Sequence, residues 1–255
     1  MTLPNASASA GHSWLAEQLR LTAFPVAGSQ PDIASWWQNV IGAEPENISS
    51  QPKLGIHQYE GNVGSGRVIL VQQPGRLDWV YITAFDAQLG EPDEDNMLSF
   101  DSASEQFANW MVKWHGLCPA LKRLAFGAIL NMPVSSREEG YRRIDGFLPS
   151  VQIDPVNSSD FLYQINRPRE IAQIPSMRIN RLTKWSVRAT NRGRIEVAVG
   201  SPQLIPTALS FAVRLELDIN TPQEFEGELR PEHVPSLFAE LMRQGTEISV
   251  RGDHP

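Results

Sequence analysis

Cysteine is almost absent from this 255-residue chain, which carries only Cys118. One thiol excludes an internal disulfide and a cysteine-rich zinc cluster, and it fits a reducing compartment. Histidine is sparse as well: His12, His57, His115, His233 and His254 stand far apart. None forms the His-x-x-x-His pair that would set two metal ligands on one helix face. Long apolar runs are missing, since Val68–Val71 is far short of the ~20 residues that span a bilayer as a helix. The first ten residues hold neither a basic residue nor an apolar stretch, unlike a secretory signal. These absences predict a cytoplasmic, soluble protein with no membrane partner, no metal and no cofactor.

Core-building residues are plentiful. Hydrophobic residues make up 41% of the chain and charged residues 20%, so a packed core needs no covalent or metallic staple. The formal charge of −7 argues against a surface that binds nucleic acid all over. That charge is unevenly spread. Between Ile165 and Arg194 stand eight basic residues and one acid, Glu170, so this window carries +7 and the remainder −14.

Periodicity predicts alternating strands and helices. Leu19–Val26 reads as a strand. A helix opening at Gln30-Pro31 carries Ile33, Trp36, Trp37, Val40 and Ile41 on one face, with Gly42 placed to end it. Leu54–Tyr59, Arg67–Gln72 and Arg76–Phe85 read as a meander punctuated by Gly and Pro turns. Ser102 and Glu105 form a capping-box pattern, and Ser135 and Glu138 form another, each opening a helix. Further strands are expected at Leu121–Leu130, Asp160–Asn166, Thr183–Thr190, Arg194–Val199 and Leu209–Ile219. Asn191–Gly193 is read as a tight hairpin turn. A last helix is expected over Pro231–Arg243, stopped by Gly245, with a short strand at Glu247–Val250.

The fold class expected is α+β, with antiparallel curved sheets and helices on one face. Residues 1–13 read as a disordered tail, with halves at 14–118 and 119–255 sharing one core. Both halves follow the order strand, helix, strands, helix, which is the order of the TATA-binding protein and supplies a geometric comparison without a function.

Several motifs have bland explanations. Gly61–Gly66 is glycine-rich, but a strand and no lysine follow it, so a hairpin turn fits better than a phosphate loop. His115 and Cys118 lie three apart at a helix end beside Pro119, where a buried structural thiol is the ordinary case. The acidic loop Glu91–Asp95 lacks the central glycine of a calcium loop. Arg251-Gly-Asp253 matches an adhesion tripeptide and reads as a chain end. Trp36, Trp37, Trp110 and Trp114 stand at core spacing, whereas Trp185 lies inside the basic window.

The basic window is the surviving candidate. Asn166, Arg167, Arg169, Arg178, Asn180, Arg181, Lys184, Arg188, Arg192 and Arg194 combine guanidinium forks with amides, which suits anionic groups of a partner. If Trp185 faces inward, Lys184, Ser186, Arg188 and Thr190 share the outward face. The competing reading pairs these cations with acids of the same chain.

Phe211–Thr221 with its Leu-x-Leu-Asp ending, the Ile179–Arg181 segment and the helix at Val234–Arg243 carry a resemblance. Over the last third, the chain resembles a sporadically distributed bacterial family of about this length. The resemblance implies an accessory or defence-related component of the kind that often works beside a partner protein, and it transfers no catalytic residues. The expected function is a non-enzymatic binding or assembly subunit docking through the basic window. Nucleic-acid binding by the same residues, and an enzyme or receptor with a pocket built from distant residues, stand as alternatives.

Overall fold

A computed structural model describes residues 13–28, 32–86, 91–92, 95–172, 174, 177–198 and 201–253. For 91–92, 191–198 and 201–208 it describes the backbone course alone. The described part begins with β1 (Leu15–Pro25) and α1 (Ile33–Ile41). The Asp32 carboxylate accepts from the Ser35 N–H at 3.1 Å and so caps α1, while Gly42 at φ +78° ends it. A meander follows: β2 (Asn47–Gln51), β3 (Ile56–Val63), β4 (Gly66–Gln73) and β5 (Arg76–Ile82). The short β6 (Phe85–Asp86), β7 (Glu91–Pro92) and β8 (Leu98–Ser99) lead to α2 (Phe100–His115). The second half runs β9 (Leu121–Val134), α3 (Arg137–Phe147), β10 (Leu162–Asn166), β11 (Arg169–Glu170), β12 (Arg178–Ala198), β13 (Ser201–Asn220) and α4 (Val234–Arg251).

The fold is α+β, with one curved, unclosed antiparallel sheet. Its strand order is β10-β12-β13-β9-β1-β5-β4-β3-β2, with β11 added to β12 and β8 to β1; β6 and β7 pair separately. The first strands of the two halves, β1 and β9, lie side by side at the centre. Alternation along each strand then decides what each face can do. Leu19, Leu21, Phe126, Leu130, Leu215, Ile219, Trp79 and Trp185 point to one face and are buried. Trp36 and Trp37 of α1, Phe107 of α2, Ile144 of α3 and Phe238 of α4 join the same core. Trp37 stacks on Trp79, and Trp185 is wedged between Trp14 and Phe147. Fully burying an aromatic of this size is worth about 1.5–3 kcal/mol, so this face holds the fold together.

Four sequence expectations are corrected in detail. Helix α4 does not stop at Gly245 but runs through to Arg251, and no strand forms at 247–250. A methyl group on Gly245 would sit 3.0 Å from Phe126 Cε1, so this glycine serves close helix–sheet approach instead of termination. Asn191–Gly193 is not a turn. It lies inside β12, at a register shift between Arg192 and Gly193, and β12 pairs with β13 as far as Ala198↔Ser201. Helix α2 opens earlier than the Ser102 pattern predicts, because Ser99 accepts from the Ser102 N–H. The α3 cap is Ser136, bonded to the Glu139 N–H, while the Glu139 carboxylate reaches back to Ser135. The expected tail lies almost entirely outside the described residues, and Trp14, assigned to the first half, is buried core.

Candidate functional site

Strand alternation divides the basic window between the two faces of the sheet. Arg181 points toward the helices and is 4% exposed. Burial pushes its guanidinium below its ordinary pKa, and the neighbouring Arg169 charge adds to this. Arg167 and Arg169 turn the same way and are held by the end of α4. Arg167 Nε meets Asp253 at 2.9 Å, and Arg169 Nη1 meets Glu247 at 2.8 Å. Asp253 is itself buried, so the Arg-Gly-Asp tripeptide is committed to holding the chain end.

The other face, on which none of the described helices packs, receives Arg178, Asn180, Lys184 and Arg188. Lys184 pairs with Glu216 at 3.2 Å and Arg188 with Glu17 at 3.4 Å, while Arg178 Nη2 donates to the Pro168 carbonyl at 3.3 Å. The inward position of Trp185 leaves Lys184, Ser186 and Arg188 on this open face. Asn166 donates to Asn180 at 3.0 Å, and Asn180 donates to Asn220 at 3.1 Å, forming an amide ladder across β10, β12 and β13. Asn166 also accepts from the Arg181 N–H at 2.9 Å. The side chains of Arg192 and Arg194 lie outside the described residues. The window is therefore not one basic surface, and Arg167, Arg169, Lys184 and Arg188 each have a carboxylate partner.

Residues from other strands complete the open face. The register of β1 on β9 shifts between Ala16 and Gln18, a bulge that turns Glu17 onto this face next to Gln18. Arg214 meets Glu17 at 2.7 Å, and Asn131 donates to the same carboxylate at 3.0 Å. Burial alone would raise the Glu17 pKa, but Arg214, Asn131 and Arg188 outweigh it and hold it below the ordinary carboxylate value. On the first half, Asp78 accepts from Thr22 at 2.6 Å and pairs with Arg76 at 2.7 Å.

At the centre lies a cleft of about 370 Å³, lined by Gln18, Arg20, Gln164, Lys184, Glu216 and Asp218, with Gly127 and Ile129 in its floor. Leu182 links it to a polar hollow of about 400 Å³ between Arg123, Asn166, Asn180 and Glu224. Asn180 and Glu224 link that hollow to a third, of about 610 Å³, beside Pro168, Arg178 and Phe225. Together these form a groove along the sheet. Asn166, Arg178, Asn180 and Lys184 of the sequence-derived set line it; Arg167, Arg169 and Arg181 do not.

Sequence reasoning missed Arg20, Gly127, Glu216 and Asp218, which come together only through the β1–β9–β13 register. The one available signal was Gly127, an isolated glycine inside a strand, which marks close approach of another group. His115 and Cys118 make no dyad: the Cys118 thiol donates to the His115 carbonyl, not to the ring. Burial pushes this thiol up to about 11, so it is protonated at neutral pH. No group of three or more His, Cys, Asp or Glu suited to a metal occurs among the described residues. Comparison with protein-family models, curated proteins and solved structures finds no match to this chain.

Proposed function

We propose that the protein is a binding or assembly subunit of a multi-protein system, docking a partner protein across the open face of its sheet. The observation that carries this reading is the row of three hollows, joined by shared lining residues, that runs from Arg20 on the open face to Phe225 at its end. Extended clefts lined by mixed polar and apolar groups suit a peptide segment better than a small molecule that must be enclosed. Cations and acids alternate along this face, as in Arg188–Glu17–Arg214–Glu216–Lys184. Such a pattern favours a partner of complementary mixed charge, because Glu17, Glu216 and Asp218 repel a uniform polyanion. We read the two halves as pseudo-repeats in the TATA-binding-protein order, and the accessory, defence-related setting as what the sequence resemblance implies.

The test is affinity capture from a lysate of the native host, with and without nuclease, using variants of either face. Leu182→Arg and Ile129→Arg alter the open face, while Val112→Arg and Val250→Arg alter exposed positions on helices. Circular dichroism checks that each variant is folded. The reading expects a stoichiometric protein partner that survives nuclease, is lost with the open-face pair and is kept with the helix pair. Equal capture by all four variants would sink it, and nuclease-sensitive recovery would assign the groove to nucleic acid instead.

A further inference from the structure

At the centre of the open face, Gly127 has Arg20 and Asp218 as its direct cross-strand neighbours. The Arg20 guanidinium packs close against this glycine. A methyl group on Gly127 would stand 3.3 Å from Arg20 Nη2 and 3.4 Å from Nε. Arg20 is the lining cation without a hydrogen-bond or ion-pair partner among the described residues, and its Nε is buried and unsatisfied. A buried donor left without an acceptor costs about 1–3 kcal/mol. An incoming carboxylate that lifts the guanidinium from Gly127 recovers that cost, accepting from Nε and Nη together in bidentate geometry.

We propose that this cleft binds an aspartate or glutamate side chain of the docked partner, clamped by Arg20; the inference rests on the docking reading above. Asp218 and Glu216 line the same cleft, so a monoanionic carboxylate fits where a phosphate dianion is repelled. Arg20 stands on the central strand, with Val80 of β5 on one side and the groove on the other. A segment crossing the face therefore passes it mid-chain and offers a side chain, not a chain end.

The test follows the Nε–Hε resonance of Arg20 by NMR in the full chain, titrated with acetate and, separately, with inorganic phosphate. Acetate should shift this resonance saturably and bind more tightly than phosphate. Arg20→Lys keeps the charge but loses the fork, and should weaken acetate about tenfold or more. Asp218→Asn leaves Arg20 in place and should tighten phosphate more than acetate. An Arg20 signal unmoved by acetate overturns the proposal, as does tighter binding of phosphate to the wild-type chain or an unchanged phosphate affinity in Asp218→Asn. Acetate reports on Arg20 with no partner present, so a failed titration removes the carboxylate site alone. A failed capture with a successful titration removes the docked partner and leaves Arg20 as a carboxylate site for another ligand.

Discussion

Arg214 and Glu17 meet at 2.7 Å across the width of β9, with Asn131 lying between them. The contact joins the last long strand of the sheet to the first, and it depends on the bulge that turns Glu17 outward. Both side chains are mostly shielded, at 16% and 13% exposure, so this pair is worth more than an ordinary surface ion pair.

Glu17→Gln should therefore cost about 1.5–3 kcal/mol of stability at neutral pH, the range for hydrogen bonds to a charged group. The folded pKa of Glu17 lies below its ordinary value of 4.5. Its contribution is thus present above that value and lost as pH falls through the folded pKa. Urea titrations should show wild type and variant converging in acid, below pH 4.5. A double-mutant cycle with Arg214→Met should give a coupling energy of about 1–3 kcal/mol. A gap that persists unchanged into acid would show that packing, not charge, is what the substitution removes.

His115 has the opposite kind of environment. Both ring nitrogens are buried without a hydrogen-bond partner, between Trp114 and Phe238, and burial pushes its pKa down to about 4 from 6.5. The unfolded chain takes the proton first, so stability falls as pH drops from about 6.5 to about 4. The full loss for this one group is about 3 kcal/mol. His115→Leu removes the titrating ring and should flatten stability against pH across that window while leaving α2 and α4 packed. If the slope survives the substitution, another group is responsible.

The helix-facing side of this fold was legible because burial writes a period into the sequence. Trp36, Trp37, Phe107, Trp114 and Phe238 all stand at helical spacing and all enter the core. The α+β class followed from that pattern and from the Gly and Pro turns. The open face left no such trace. Its residues alternate with the core positions, but which of them meet is fixed by register, and register between β1, β9 and β13 spans most of the chain. Arg181 illustrates the difficulty. It sits in the same window as Lys184, yet odd spacing from Lys184 puts it on the opposite face. Glycine misled in the same way, since Gly245 looks like a helix stop in one dimension and is a packing contact in three.

That placement makes Arg181 a test of what the basic window is for. Its Nε is buried without an acceptor, and Asp253 and Glu247 nearby are already engaged by Arg167 and Arg169. Arg181→Met should be neutral or stabilising, within about 1 kcal/mol of wild type or above it, because an apolar chain of similar length avoids the desolvation cost. Arg181→Glu would bury a carboxylate beside two others and should lose about 3–5 kcal/mol. In partner capture the methionine variant should behave as wild type. Loss of capture by folded Arg181→Met would return this residue to the docking surface.

The glycine-rich segment at the β3–β4 hairpin contains three glycines with three different reasons to be glycine. Gly64 takes φ +64° in the turn, with nothing within 4 Å of a methyl group there. Gly61 faces Trp37, whose Cζ2 would stand 3.3 Å from an added methyl. Gly66 is pressed against backbone, since an added methyl would collide with the Ile82 carbonyl oxygen and lie 2.8 Å from that of Thr83. Carbonyls fixed in a sheet cannot give way as a side chain can. Gly66→Ala should therefore be the most damaging, at about 3 kcal/mol or more. Gly64→Ala should cost about 1 kcal/mol, from the positive φ alone. Gly61→Ala should fall between them if Trp37 cannot yield, and below both if it can. Denaturant midpoints for the three variants measure the order directly. Equal, small losses at all three positions would mean that the hairpin is loose enough to absorb a side chain anywhere, and that the contact of Gly66 with Ile82 and Thr83 does not hold β4 against β5.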